Sequence, residues 1–246
     1  MSANIRWNAP SIPPVTKHLI IINAIMWVAT MLLGSREVVD LTDYLGLHFW
    51  KAREFHLYQF VTYMFMHDSS SFSNGFMHIF FNMFALYMFG ALLEKVMGMK
   101  RFILFYVVCG IGAGVVQELV WHLTDGNITE DFVRLVDEYG QTIRTMPRQE
   151  YLNMLVTVGA SGAVFGILLG FAMLFPNIPL YIMFIPVPVK AKWAVLGYAL
   201  IELFFGVSGV MGNVAHFAHL GGMLFGFILL YYWKKKGQFN NFYVNS

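Results

Sequence analysis

Val158-Gly159-Ala160-Ser161-Gly162-Ala163-Val164-Phe165-Gly166 opens an apolar run that continues to Phe175. A serine set between glycines at the mouth of a membrane-length helix puts a polar group where hydrocarbon makes it costly. Taken alone, G-x-S-G has a plain alternative. Small residues are common where membrane helices pack closely, and Ser161 would then be a packing residue. Two further stretches bear on the choice, and each comes from a different apolar run.

Composition sets the solvent. The chain has 246 residues, of which 58% are apolar and 12% charged, against about 25% charged in soluble domains. Apolar runs of roughly 17–22 residues recur, long enough to cross ~30 Å of hydrocarbon, so the chain reads as an all-α polytopic membrane protein. The net charge of +2 carries no nucleic-acid signal, because the basic residues are spread among the loops. Cys109 is the sole cysteine and lies in an apolar run; it reads as a small buried hydrophobe with no disulfide partner.

Residues 1–17, with Pro10, Pro13 and Pro14, read as a polar cytoplasmic tail. The first apolar run, 18–34, lacks a small-residue cleavage signal at Thr30-Met31-Leu32-Leu33-Gly34 and is taken as a retained span. Residues 35–76 mix Trp50, Tyr58, Phe60, Tyr63 and Phe65 with charges, the pattern of a segment lying in the membrane interface. Spans follow at 77–96, 102–122, 155–175, 191–207 and 214–233, which completes a six-span unit over 18–233. Residues 123–150 form a hydrophilic insertion expected as an extramembrane helix or loop, 180–189 a proline-rich interfacial segment, and 234–246 a second cytoplasmic tail. No internal repeat divides the spans into a transporter's halves.

Six spans place both termini on one side. With the termini inside, Arg6, Lys17, Lys95, Lys100, Arg101, Lys190, Lys192 and Lys234 to Lys236 are cytoplasmic, ten of the sixteen basic residues. The positive-inside rule therefore favours N-in, C-in. Spans two, four and six then run inward, and at 1.5 Å per residue His78 and Asn82, Ser161, and His219 come to a similar depth in the outer half of the membrane. Starting span four at residue 155 puts Ser161 about two turns below the outer surface.

The spacing suits nucleophilic chemistry. Gly162, Gly166 and Gly170 share one helix face, as do His219, Gly222 and Gly226, and such faces let two helices approach closely. Only that approach brings a base within ~3 Å of a short serine hydroxyl, whose own pKa is too high for attack. His216 precedes His219 by one turn but lacks the downstream glycines, so His219 is the candidate base. His78 and Asn82, at i and i+4, can aim donors at a developing oxyanion together with the Ser161 N–H. His67, His78, His216 and His219 offer no H-E-x-x-H or similar pair, so no metal is expected. Glu118 and Glu202, ionisable residues within apolar runs, read as hydrogen-bonded structural groups, and Glu94 as an interfacial cap or ion pair.

H-x-x-x-N in span two, G-x-S-G in span four and A-H-x-x-G-x-x-x-G in span six together resemble the rhomboid intramembrane serine proteases. The resemblance covers residues 18–233. It implies a six-helix bundle in which Ser161 is the nucleophile and His219 its general base, with no acid completing the dyad. His78 and Asn82 match the oxyanion-side residues, while Gly159, Gly162, Gly222 and Phe165 support the dyad. The implied partner is the transmembrane segment of a membrane-protein substrate within the lipid bilayer, cut near its outer end, with no cofactor. The expected location is a bacterial cell membrane. Two residues depart from the family pattern: Phe165 stands where tyrosine is frequent, and Tyr58-Gln59 where some members carry tryptophan-arginine. Two readings from other classes remain beside it, an inactive rhomboid-like protein that binds membrane clients and a six-span transporter.

Overall fold

Each of the six apolar runs forms a helix in the computed structural model, which describes residues 11–34, 39–69, 72–136, 139–181, 187–208 and 215–239. These are α1 (Pro14–Gly34), α2 (Phe72–Met97), α3 (Met99–Thr124), α4 (Ser161–Leu174), α5 (Ala191–Ser208) and α6 (His216–Lys235). The fold is mostly helical, and among the described residues α1, α2, α3 and α5 are long and apolar enough to cross a membrane. Exposed Ile25 and Leu32 on α1, Phe80, Phe84 and Met88 on α2, and Phe204 and Val207 on α5 would be an aggregation hazard in water and are at home against lipid.

The core runs along α3, α4 and α6, with Phe102, Phe105, Tyr106, Ile167 and Leu230 almost fully buried. Small residues permit it. A Cβ on Gly222 of α6 would stand 1.8 Å from the Gly162 carbonyl oxygen, and one on Gly166 of α4 would stand 2.4 Å from Cys109 Sγ of α3. The α4 and α6 backbones therefore touch, which is the contact the two glycine faces imply. Cys109 is free and buried between them.

α1 begins at Pro14, so residues 14–17 belong to a helix rather than to a tail; 1–10 lie outside the described residues. Its first turn is held by Glu94 of α2, whose carboxylate accepts the Val15 N–H at 2.9 Å and the Thr16 N–H and hydroxyl at 2.7 and 2.8 Å. Free N–H groups at a helix start need such acceptors, and Glu94 supplies them from another helix. A five-residue π segment, Leu86–Gly90, interrupts α2 above this cap.

The connection ahead of α2 is tightly stitched. Gln59 is fully buried; its Oε1 accepts the His48 and His56 N–H groups, and its Nε2 donates to the Tyr44 and Glu54 carbonyls. Leu47–His48 pairs antiparallel with Val156–Thr157, which ties this connection to the segment leading into α4. The His48 ring lies 3.0 Å from both the Asp43 and Asn153 carbonyl oxygens. On α3, Glu118 accepts the Trp50 N–H at 2.8 Å.

Three further sequence expectations need correction. The insertion is neither helix nor loop alone: Phe132–Val136 pairs with Thr142–Pro147 in an antiparallel hairpin, followed by a short helix, Arg148–Met154. Its pattern of charged and apolar residues did not separate a strand from a helix over so short a run. The fold is thus not strictly all-α. The helix of the fourth apolar run starts at Ser161 rather than near residue 155, because Val156–Thr157 is engaged as a strand.

Candidate active site

Ser161 is the first residue of α4, where the chain turns from extended to helical backbone. The turn depends on Gly159, whose φ of +133° lies in the region that L side chains avoid. The Gly159 N–H donates to the Tyr63 carbonyl at 3.0 Å, and the Tyr63 hydroxyl donates to the Gly110 carbonyl at 2.6 Å. A buried tyrosine thus holds the strand-to-helix turn against α3.

His219 lies one turn into α6 and is buried. Its Nε2 is 2.8 Å from Ser161 Oγ. Beneath the imidazole, the Phe165 ring stacks at 4.2 Å between centroids and 6° between planes. Phe165 is one helical turn after Ser161, so α4 alone supplies both the hydroxyl and the surface on which its partner rests. The α4–α6 backbone contact at Gly162 and Gly222 sets the separation.

The other side of His219 faces α5. Nδ1 is 2.8 Å from Glu202 Oε2, and the same oxygen is 2.7 Å from His216 Nδ1. A carboxylate oxygen accepts, so each Nδ1 donates. That leaves the lone pair of His219 on Nε2, where it accepts the Ser161 hydroxyl proton. The sequence named His219 ahead of His216 as the base and gave Glu202 a structural hydrogen bond; the structure places Glu202 against both imidazoles and His219 alone against Ser161.

His78 enters from α2. The Asp68 N–H donates to its Nδ1 at 3.3 Å, so its Nε2 carries the proton. That nitrogen lies close to Gly159: a Cβ there would stand 3.1 Å from His78 Nε2 and 3.4 Å from Ser161 Oγ. An N–H and the serine hydroxyl thus flank the space above the glycine. Asn82 is buried, but its amide donates to the His78 carbonyl four residues back at 2.9 Å. The observed bond fixes the α2 backbone and does not bring Asn82 against Ser161.

Among the described residues, Glu202, His216 and His219 are the three groups close enough together to hold a metal ion. At 2.7 and 2.8 Å their nitrogens sit at hydrogen-bond distance from one oxygen, closer than ligands placed around an ion at ~2.0–2.2 Å from each.

Comparison with known proteins fits this arrangement. The family model described as Rhomboid domain matches residues 54–236. The chain belongs to the rhomboid family. Three relatives from Arabidopsis thaliana carry rhomboid-like names. Rhomboid-like protein 11, chloroplastic, is 30% identical over 85% of this chain and 65% of its own length. RHOMBOID-like protein 4 is 28% identical over 63% of this chain and 30% of its own. RHOMBOID-like protein 6, mitochondrial, is 28% identical over 70% and 42%. This rhomboid chain therefore spans between about a third and two thirds of the length of these relatives. Two of the plant proteins carry organelle names, so they lend no support to a bacterial cell membrane as the location. Family membership also leaves the transporter reading without support.

Tyr63 was missed in the sequence as a site-holding residue and read only as an interfacial aromatic. Its role depends on two contacts more than forty residues away in the chain, which no local pattern announces.

Proposed function

We propose that this rhomboid is an intramembrane serine endopeptidase that cleaves a peptide bond near the outer end of a substrate's transmembrane helix. The observation that carries the reading is the 2.8 Å Ser161–His219 contact, with Nδ1 of the same ring engaged and Phe165 stacked beneath it. His219 Nε2 takes the hydroxyl proton as Ser161 Oγ attacks the scissile carbonyl carbon. The oxyanion that forms accepts hydrogen bonds from the Ser161 N–H and from His78 Nε2–H. The intermediate then collapses. The C–N bond breaks, His219 returns the proton to the leaving nitrogen, and an ester to Ser161 remains. Water attacks the ester, gives its proton to Nε2, and frees the acid product and the serine.

The reading includes six membrane crossings with both termini inside, supported by the ten basic residues that orientation places in the cytoplasm. Helix α4 has 14 residues, about 21 Å at 1.5 Å each, less than the ~30 Å hydrocarbon core. If its C-terminal end reaches the inner interface, Ser161 lies roughly 9 Å below the outer one. A substrate helix hides its carbonyls in internal hydrogen bonds. It must unwind to reach the serine, and the space bounded by Gly159 and His78 favours a small residue before the cut.

Reconstituted full-length protein with a transmembrane substrate tests this. Cleavage by the wild type, lost in Ser161→Ala and in His219→Ala to the same extent as in the double variant, is the expected result. Intact substrate with the wild type, bound but uncut, would instead mark a client-binding protein.

A further inference from the structure

Glu202 takes no part in the two-residue mechanism above, yet it is the group most tightly joined to it. It projects from α5 toward α6, and its side chain is only 13% exposed. His216 and His219 lie at i and i+3 on α6, one face, and both direct Nδ1 at the same carboxylate oxygen. One turn beyond Glu202, a Cβ on Gly206 would stand 3.1 Å from the Phe217 ring and 3.4 Å from His216 Cβ. The close approach of α5 and α6 that this glycine permits is what brings the carboxylate to the imidazoles. An unpaired carboxylate in a membrane bundle would be heavily penalised. Two N–H donors on one oxygen offset that and fix the oxygen in place.

We propose that Glu202 is a positioning residue that completes a Ser161–His219–Glu202 triad, with His216 as the second anchor of the carboxylate. A neutral imidazole has two tautomers, and only the one with its proton on Nδ1 offers Nε2 as an acceptor to the serine. The Glu202 oxygen selects that tautomer in the resting enzyme. When Nε2 takes the serine proton, the ring becomes an imidazolium whose Nδ1–H already faces a carboxylate at 2.8 Å, in surroundings where such an interaction is stronger than in water. His216 keeps the oxygen from swinging toward solvent. The proton stays on Nδ1 throughout.

The inference rests on the protease reading, but one of its tests does not. In the purified full-length protein, Glu202→Leu removes both acceptor and charge. Glu202→Gln can place its amide oxygen where Oε2 lies, retaining an acceptor without the charge. With a fluorogenic transmembrane substrate, kcat is expected to fall about 10³–10⁴-fold in Glu202→Leu, the loss that accompanies the wrong tautomer. The fall in Glu202→Gln is expected to be smaller where its amide oxygen accepts both N–H groups, and KM is expected to change little in both. A structural role alone would raise KM or lower thermal stability without this graded recovery. Histidine ¹⁵N spectra read the tautomer directly, without turnover. The wild type should show Nδ1–H on His216 and His219, and Glu202→Leu should shift His219 toward Nε2–H. Unchanged kcat in Glu202→Leu, or an unchanged His219 tautomer, overturns the proposal. So does loss of turnover on treatment with a chelator and its return with zinc, which would make the three residues a metal site. If the wild type shows no Ser161-dependent turnover, the protease reading fails, and the tautomer shift alone decides the role of Glu202.

Discussion

Gly159 illustrates how much of this site depends on what a single residue lacks. Its φ of +133° and the 3.1 Å gap between a notional Cβ and His78 Nε2 both require the missing side chain. Gly159→Ala is therefore expected to lower kcat at least 100-fold while the protein still folds, read by turnover alongside thermal unfolding; a fully active variant would place the oxyanion elsewhere. His78→Ala should lower kcat by about 10–1000-fold, the range for one oxyanion donor, with KM little changed. Asn82→Ala is expected to be milder, since its observed bond is to its own helix. Phe165→Tyr should be tolerated. Phe165→Ala should reduce activity more than stability, because the half-buried ring leaves a cavity worth less than the ~3–5 kcal/mol of a fully buried one. Ser161, His219 and Phe165 were readable in the sequence because one motif on each helix carries them. Glu202 was visible as an oddly placed charge, but its partners lie on the next helix, and nothing in the spacing fixed which face of α5 turns toward α6.

At the scale of elements, the α4–α6 contact is the joint on which the chemistry depends. With 1.8 Å between a notional Gly222 Cβ and the Gly162 carbonyl oxygen, even Gly222→Ala must push the helices apart. It should lower both melting temperature and activity, the latter at least tenfold, since a base displaced by ~1 Å loses about that or more. Glu94→Ala tests the other end of the bundle. Removing an acceptor of three bonds at the α1 start should destabilise by about 2 kcal/mol, seen as a lower melting temperature with unchanged kcat per folded molecule. The glycine faces could be read from helical periodicity, and Glu94 as a cap or ion pair from its place near the end of the second apolar run. The hairpin at 132–147 could not, because its short strands lack clean alternation. Nor could the start of α4 at Ser161, which is set by strand pairing with Leu47–His48 more than a hundred residues earlier. The Gln59 network likewise uses partners that only the folded loop reveals.

For the molecule as a whole, apolar length located six helices, since a chain in lipid must satisfy its backbone within each segment. Orientation came from charge counting and is open to direct measurement. In a Cys109→Ser background, Arg144→Cys in the hairpin should react with an impermeant maleimide from the outer side of sealed membranes, and Lys235→Cys should react only after permeabilisation. The reverse pattern would invert the topology. What composition and periodicity could not supply is convergence, the meeting of α2, α4, α5 and α6 around the Ser161–His219 contact. The most direct test of that meeting is whether Ser161 is activated. Full-length protein in detergent should be treated with a fluorophosphonate, and the modified peptide mapped by mass spectrometry. The expected result is an adduct on Ser161 that is absent in Ser161→Ala and sharply reduced in His219→Ala; a wild type that stays unlabelled, or label that persists on another serine in Ser161→Ala, would contradict it.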